Sequence, residues 1–380
     1  MGKIKAFVKK EKVLVLAFIC AVISCFFVKP NLGYIDYIDF RTLGLLFCLM
    51  TVSVGLEACG FTSDTASFLM RKCKSTKSLV PVLVLLPFFV SMLVTNDVAL
   101  IAFVPFAITV LELSDARKLI IPVVVMQTLA ANLGSMATPV GNPQNLFLYS
   151  KYDLSAGEFF KTVLPFAGIS LVLVTVVSIY IGVKGRKIAS KSSDDDIKLK
   201  EPTVKNRKLV LIFCAVLFVL CLLSVFKFLD WRILTVITLI IFLIIAPKEL
   251  LKVDYCLLLT FICFFIFSGN IGKIDAVKNF VSDLMTKNAF FTSLCLSQVI
   301  SNVPAAVLLS GFTDNFRDLL LGTDIGGLGT PIASLASLIS LKLYSKSEGS
   351  NNGKYLAVFM LTGVAFLLVL IAAKIYLPCF

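Results

Sequence analysis

Histidine is absent from this chain of 380 residues, and with it go the commonest metal ligand and the commonest general base. No Gly-x-Ser-x-Gly elbow, His-Glu-x-x-His pair or Walker-type Gly-Lys-Ser/Thr loop occurs, so acyl-transfer, zinc-hydrolase and ATP-driven chemistry have no anchor. An enzyme is not expected, nor an organic cofactor. The 11 cysteines include no Cys-x-x-Cys pair. Most fall inside apolar runs, as packing residues would, and their spacing does not suggest a disulfide framework. Charged residues make up only 16% of the chain, and no polar stretch is left over for a soluble domain.

What is present is apolar. Hydrophobic residues are 58% of the chain and 33 residues are Phe; runs of spanning length recur from end to end, as in an all-α integral membrane protein. The net charge of +13 would suggest nucleic acid in a soluble chain. Here it reads as loops held on the cytoplasmic side of a lipid bilayer, with no nucleic-acid partner. Lys3, Lys5, Lys9, Lys10 and Lys12 precede the apolar run Val13 to Val28. That start resembles a signal peptide, but no small-residue cleavage site follows, so the run is kept as a span.

Two interrupted stretches organise the rest. Asn132 to Asn145 reads NLGSMATPVGNPQN, and Asp324 to Ser337 reads DIGGLGTPIASLAS. Gly134 falls over Gly326, Thr138 over Thr330 and Pro139 over Pro331, each pair 192 positions apart. Glycines, prolines and uncharged polar groups inside an apolar run predict a broken transmembrane helix. Such a break is tolerated only where its backbone is buried in protein or lines a watery cavity. Matched interruptions in two halves mark the binding site of a secondary transporter.

Each break is preceded by a short hairpin. Leu79 to Val94 and Val98 to Leu111 flank the tip Thr95-Asn96-Asp97, and Ala289 to Ile300 and Ala305 to Phe312 flank Ser301-Asn302-Val303-Pro304. These arms are short for a crossing of roughly 20 residues, which predicts re-entrant hairpins. Residues 1–183 form a first repeat, 184–208 a cytoplasmic linker, and 209–380 a second repeat preceded by an extra span that inverts it. Nine crossings result, with a cytoplasmic N-terminus and an external C-terminus. The layout assigns 25 of the 36 Lys and Arg to cytoplasmic segments and 11 to external ones, the bias expected of a protein in a cytoplasmic membrane.

The tips align on a hydroxyl residue followed by Asn. Asn donates and accepts, and Ser or Thr does either, so Thr95, Asn96, Ser301 and Asn302 could hold an oxyanion or a cation; plain turn-forming is the alternative. Asn142, Thr138 and Thr330 supply further polar groups for a substrate. The backbone around Gly134, Ser135 and Ala137, and around Gly326, Gly327 and Gly329, offers carbonyls suited to bound sodium ions, while half-helix N-termini beyond Pro139 and Pro331 offer positive dipole ends. Asp97 and Asp324 are carboxylates in apolar surroundings, hence coupling candidates. Asp97 could bind sodium, take a proton, or only cap the second hairpin arm; Asp324 could cap a half-helix.

The paired TNDVA and SNVPA tips with their NLGSMATPVGNPQN and DIGGLGTP breaks resemble the ion transporter superfamily. That group holds citrate permeases, arsenite permeases, divalent anion/sodium symporters and certain sodium/proton antiporters. The resemblance covers nearly the whole chain. It implies that Thr95, Asn96, Ser301 and Asn302 contact substrate and sodium, that the breaks at 134–138 and 326–330 form the opposing loops, and that the protein is a homodimer with elevator-like movement. Two positions depart from the divalent-anion pattern: Asp97 stands in place of Thr, and Val303-Pro304 in place of Thr-Ala. An extra carboxylate repels a dicarboxylate unless a cation or proton neutralises it, which moves the resemblance toward the arsenite-permease side. The expected function is secondary transport of a small anion or oxyacid coupled to sodium or protons. The alternatives are a sodium/proton antiporter without organic substrate and, further off, a channel.

Overall fold

The computed structural model describes residues 11–61, 75–185, 204 and 206–376. The lysines before residue 11, all but Phe61 of an amphipathic piece expected at 61–69, the residues Arg71, Lys72 and Lys74 of an expected cytoplasmic basic run that ends at Lys77, and nearly all of the linker lie outside them. The described residues are all-helical and contain no strand. The first half comprises α1 (Lys12–Phe27), α2 (Phe40–Ala58), α3 (Thr76–Val90), α4 (Asn96–Leu113), α5 (Ile120–Ser135), α6 (Pro143–Lys151) and α7 (Ala156–Lys184). The second comprises α8 (Arg207–Val225), α9 (Trp231–Ile245), α10 (Tyr255–Ile271), α11 (Asp275–Ile300), α12 (Asn302–Leu309), α13 (Phe316–Gly326), α14 (Leu335–Tyr344) and α15 (Asn352–Tyr376).

Local signals set these boundaries. Asp39 accepts from the Thr42 amide at the start of α2, and Ser155 and Glu158 close a capping box on α7. Such side chains satisfy amides that the first turn of a helix leaves without intrahelical partners. Pro81, Pro87, Pro105 and Pro165 lie inside helices, as membrane helices allow when neighbours cover the freed carbonyls.

Among the described residues six helices are long and apolar enough to cross a membrane. The crossings expected at Val13 to Val28 and Ile233 to Ala246 are helices of 16 and 15 residues, about 24 and 22 Å at 1.5 Å per residue. Helices α7, α8, α9 and α15 carry exposed large apolar side chains, among them Val172, Ile212, Ile244 and Leu361, as a lipid-facing surface requires.

Polar contacts sort the loops into two sets. Asp153 pairs with Lys227 at 2.6 Å and Arg41 at 4.0 Å, Lys374 with Asp318 at 2.8 Å, and the Tyr152 hydroxyl donates to the Thr313 carbonyl at 2.7 Å. Elsewhere Arg117 pairs with Glu348 at 3.7 Å, and the Thr76 hydroxyl donates to the Gly185 carbonyl at 3.4 Å. Each of these contacts joins residues in loops or near helix ends. The Lys227 ammonium beside Asp153 holds that exposed carboxyl below its ordinary pKa.

The breaks are narrower than expected. Helix α5 runs on to Ser135 and the chain resumes helix at Pro143; α13 runs on to Gly326 and α14 starts at Leu335. Asn132, Gly134, Ser135, Asp324 and Gly326 are therefore helical, and the Gly134 carbonyl accepts from the Ala137 amide at 3.0 Å. Only Ala137, Gly327 and Gly329 of the expected backbone positions fall in irregular chain. Gly134 serves close packing: a Cβ there would overlap the Phe88 backbone, and one at Gly326 would overlap the Leu294 backbone and Ser297.

A methyl group has no room at Gly134. Gly134→Ala is expected to destabilise the protein by about 1–3 kcal/mol through overpacking, read as a lower unfolding midpoint in detergent. Gly168→Ala, where a Cβ meets nothing within 4 Å, should leave the midpoint unchanged or raise it, since Ala is the better helix former.

Candidate functional site

The two turns between hairpin helices meet the two breaks in the interior. In the first half the Asn96 amide donates to the Gly141 carbonyl at 3.1 Å; in the second the Asn302 amide donates to the Ala333 carbonyl at 2.9 Å. The Thr138 hydroxyl donates to the Met92 carbonyl at 2.7 Å, and the Thr330 hydroxyl to the Gln298 carbonyl at 3.2 Å. The side-chain oxygens of Asn96 and Asn302 accept from the next amide, of Asp97 at 3.0 Å and of Val303 at 2.9 Å. Break residues keep the offset of 192, and Phe88, Met92 and Asn96 fall 206 positions before Leu294, Gln298 and Asn302. The same contacts are thus made twice.

The halves also interlock. The side-chain oxygen of Asn132 accepts from the side-chain amide of Asn96 at 2.9 Å and from the Ser334 hydroxyl at 3.1 Å, and its side-chain nitrogen donates to the Ser337 hydroxyl at 3.4 Å. At the matched position Asp324 accepts from Asn142 and Gln144, each at 3.3 Å. Asn132 of the first broken helix therefore reaches the second break, and Asp324 of the second reaches the first. Thr128 adds a buried link by donating to Ser340 at 2.5 Å, and Tyr355 donates to the same Ser340 at 3.2 Å.

Asn142 caps α6 by accepting from the Asn145 amide at 2.8 Å, with Pro143 in the first turn. Asn145 donates to the Met136 and Thr138 carbonyls at 3.2 and 3.3 Å, satisfying acceptors the break has released. In the second break Gln298 does this: its amide nitrogen donates to the Gly326 carbonyl, and its oxygen accepts from the Thr330 amide at 2.9 Å. Gly327 lies beside the Asn302 amide nitrogen, and Gly329 lies against Gln298. The N-termini of α6 and α14 end at the breaks, bringing positive dipole ends to the centre. Ser301 has φ +76° and ψ 154°, a region that costs a residue with a Cβ about 1–3 kcal/mol.

Of the residues expected from sequence, Thr95, Asn96, Ser301, Asn302, Ser135, Asn142 and Asp324 are buried in this assembly. Thr138 and Thr330 hold the hairpin carbonyls. Asp97 departs from it. Its carboxyl lines a separate cavity of about 280 Å³ with Glu11, Asp254 and Lys342, and its Oδ1 is buried without a hydrogen-bond partner among the described residues. The absence of a basic residue in the hairpin arms did not anticipate Lys342, which the distal half-helix α14 brings to that cavity. Gln144, Asn145 and Gln298 were not singled out. Their signal was an uncharged amide inside an apolar or broken helix.

Six apolar helices of spanning length among the described residues and two helices broken in the interior fit a membrane transporter. The chain belongs to the citrate transporter family, whose model matches residues 6–315. It is 32% identical over 346 residues to an uncharacterized transporter of Methanocaldococcus jannaschii, covering 89% of this chain and 90% of that one. It is 31% identical over 313 residues to the inner membrane protein YbiR of Escherichia coli, covering 80% of each. A shorter match, 32% over 146 residues, joins 38% of this chain to 30% of the silicon efflux transporter LSI3 of Oryza sativa subsp. japonica.

Replacing Ser301 with Gly removes the Cβ from a conformation that glycine adopts freely. Ser301→Gly is expected to stabilise the protein by about 1 kcal/mol, seen as a raised unfolding midpoint. Ser301→Ala keeps the Cβ and should give no such gain.

Proposed function

We propose that the protein is a secondary active transporter that moves a small anion or oxyacid, di/tricarboxylate-like or arsenite-like, across the cytoplasmic membrane by alternating access, coupled to sodium or protons. The observation that carries this reading is the doubled contact between turn and break, Asn96 to Gly141 and Asn302 to Ala333, with a helix N-terminus beyond each break. Such a centre offers amide donors and dipole ends to a negative solute from both halves, as binding at a repeat interface requires. The family name supports a carboxylate, and a relative named for silicon efflux supports a small inorganic solute.

In this reading the hairpins are re-entrant and the two repeats are inverted across the bilayer. Thr95, Asn96, Ser301, Asn302 and Asn142 contact the substrate. Thr138 and Thr330 hold the tips. Cations take the carbonyls around Ala137, Gly327 and Gly329 and the carboxylates Asp97 and Asp324. The basic bias sets a cytoplasmic N-terminus and an external C-terminus, and the protein works as a homodimer.

A second reading, sodium/proton exchange without an organic solute, is favoured by one observation: Asp97 lines a cavity with Glu11, Asp254 and Lys342, and its buried Oδ1 has no hydrogen-bond partner among the described residues. A proteoliposome panel of citrate, succinate, sulfate and arsenite separates the two. Solute uptake driven by a sodium or proton gradient is expected for the symporter; sodium-driven proton flux with no uptake of any solute supports the exchanger.

The two Asn residues serve different halves, so neither replaces the other. Asn96→Ala and Asn302→Ala should each lower uptake at least ~10-fold, as loss of a buried hydrogen bond to a charged group costs roughly 1.5–3 kcal/mol. Near-normal uptake by either variant would sink the assignment of the tips.

A further inference from the structure

The Arg117–Glu348 pair lines a cavity of about 350 Å³ that lies between the halves, away from both breaks. Arg117, Lys118, Ile120 and Ile121 line it from the start of α5 and the short 3-10 turn before it; the other wall is the chain from the end of α14 to the start of α15. Three cations, Arg117, Lys118 and Lys354, face one carboxylate, Glu348. Arg117 and Glu348 stand 3.7 Å apart with side chains 59% and 87% exposed, a solvated contact that holds neither firmly. Lys118 and Lys354 have no carboxylate within ion-pair distance among the described residues. Helix α15 begins at Asn352, so the positive end of its dipole adds to the same field.

The basic bias of cytoplasmic loops requires charge alone, spread over any exposed chain. This cavity has more than charge. Tyr344, which lines it, is 4% exposed. Its hydroxyl accepts from the Asn351 amide at 2.9 Å and donates to no acceptor among the described residues, although a buried tyrosine ordinarily uses that proton. The ring is held by stacking on Tyr355 at 4.8 Å, and Tyr355 donates in turn to Ser340. The loop after α14 is fixed as well. The Ser347 hydroxyl donates to the Tyr344 carbonyl at 2.7 Å, Ser345 to the Asn352 side chain at 2.9 Å and Ser350 to the Ser345 carbonyl at 3.2 Å.

We propose that this cavity binds a phosphate monoester, with its oxygens on Lys118, Lys354 and the Tyr344 hydroxyl and its carbon portion against Ile120 and Ile121. A carboxylate would bring a single charge to a site with two cations in excess. A phosphate monoester brings about 1.5–2 negative charges at pH 7 and three acceptor oxygens, one for each free donor. The same group is carried by soluble organic phosphates and by phosphatidic acid, and basic pockets at the ends of membrane helices take lipid headgroups. With a cytoplasmic N-terminus an even number of crossings precedes both walls, so the cavity lies on the cytoplasmic side. That placement rests on the proposed topology; the site does not.

The test is the unfolding midpoint of the purified full chain in non-ionic detergent. One arm titrates glycerol phosphate against sodium chloride at matched ionic strength; the other adds mixed micelles of phosphatidylcholine with or without phosphatidic acid. The midpoint should rise in at least one arm, and the responding arm identifies the source. No rise in either overturns the proposal. Lys118→Gln, Lys354→Gln and Tyr344→Phe, which keeps the ring stack, should each raise the half-effect concentration at least threefold, whereas Glu348→Gln removes the one repelling carboxylate and should lower it. Lys346→Gln, exposed on the same loop but outside the cavity lining, should leave it unchanged. Unshifted curves in the two cavity lysine variants, or an equal shift in Lys346→Gln, would reduce the effect to diffuse charge and overturn the site. No arm involves transport, so a failure of solute uptake with this response intact counts against the transport reading alone.

Discussion

A helix interrupted among apolar neighbours releases peptide groups that no lipid can satisfy. In this protein the released groups are met by the hairpin turns and by a few amide side chains. Asn96 and Asn302 donate their backbone N–H groups to Gly141 and Ala333, while Asn145 and Gln298 cover carbonyls on the near side of each break. Because the donors belong to a hairpin and the acceptors to a broken helix, neither element is complete alone. The packing follows from that dependence. Gly134 and Gly326 bring each broken helix against the first hairpin helix of its half, close enough for the threonine hydroxyls to reach Met92 and Gln298.

The reciprocal placement of Asn132 and Asp324 gives the two halves different electrostatics on one geometry. Asn132 can both donate and accept, and its contacts with Asn96, Ser334 and Ser337 use both capacities. An ionised aspartate can only accept. At the matched position two amide donors, Asn142 and Gln144, face Asp324 on one oxygen. The duplication therefore gives one crossing a neutral side chain and the other a carboxylate.

Much of the architecture was legible in the sequence because the interruptions violate the pattern around them. Glycine, proline and asparagine inside an apolar run have few reasons to be there, and their return at a fixed spacing of 192 ties the breaks together. The exact limits of the breaks were not legible. Gly134 and Gly326 read as points of unwinding, yet both are helical, since glycine serves close backbone approach as readily as it serves a turn. The direction of Asp97 was equally hidden: sequence places it next to Asn96 on a helix, but only the tertiary arrangement of α4, α10 and α14 shows that its carboxyl faces a different cavity. The helper amides Gln144, Asn145 and Gln298 acquire meaning only from the carbonyls they meet.

The interlock also sets an order of events during synthesis. Asn132 is linked to Ser334 and Ser337 across 202 and 205 positions. At roughly 5–20 residues per second, a ribosome needs on the order of 10–40 s to supply those partners after Asn132 itself. For that interval Asn132 lacks two of its three side-chain partners, Ser334 and Ser337. The nascent first half must hold these groups against water, or against the insertion machinery, until the second half arrives. Premature burial in lipid is thus a hazard of biogenesis that arises from the contacts which later stabilise the finished centre.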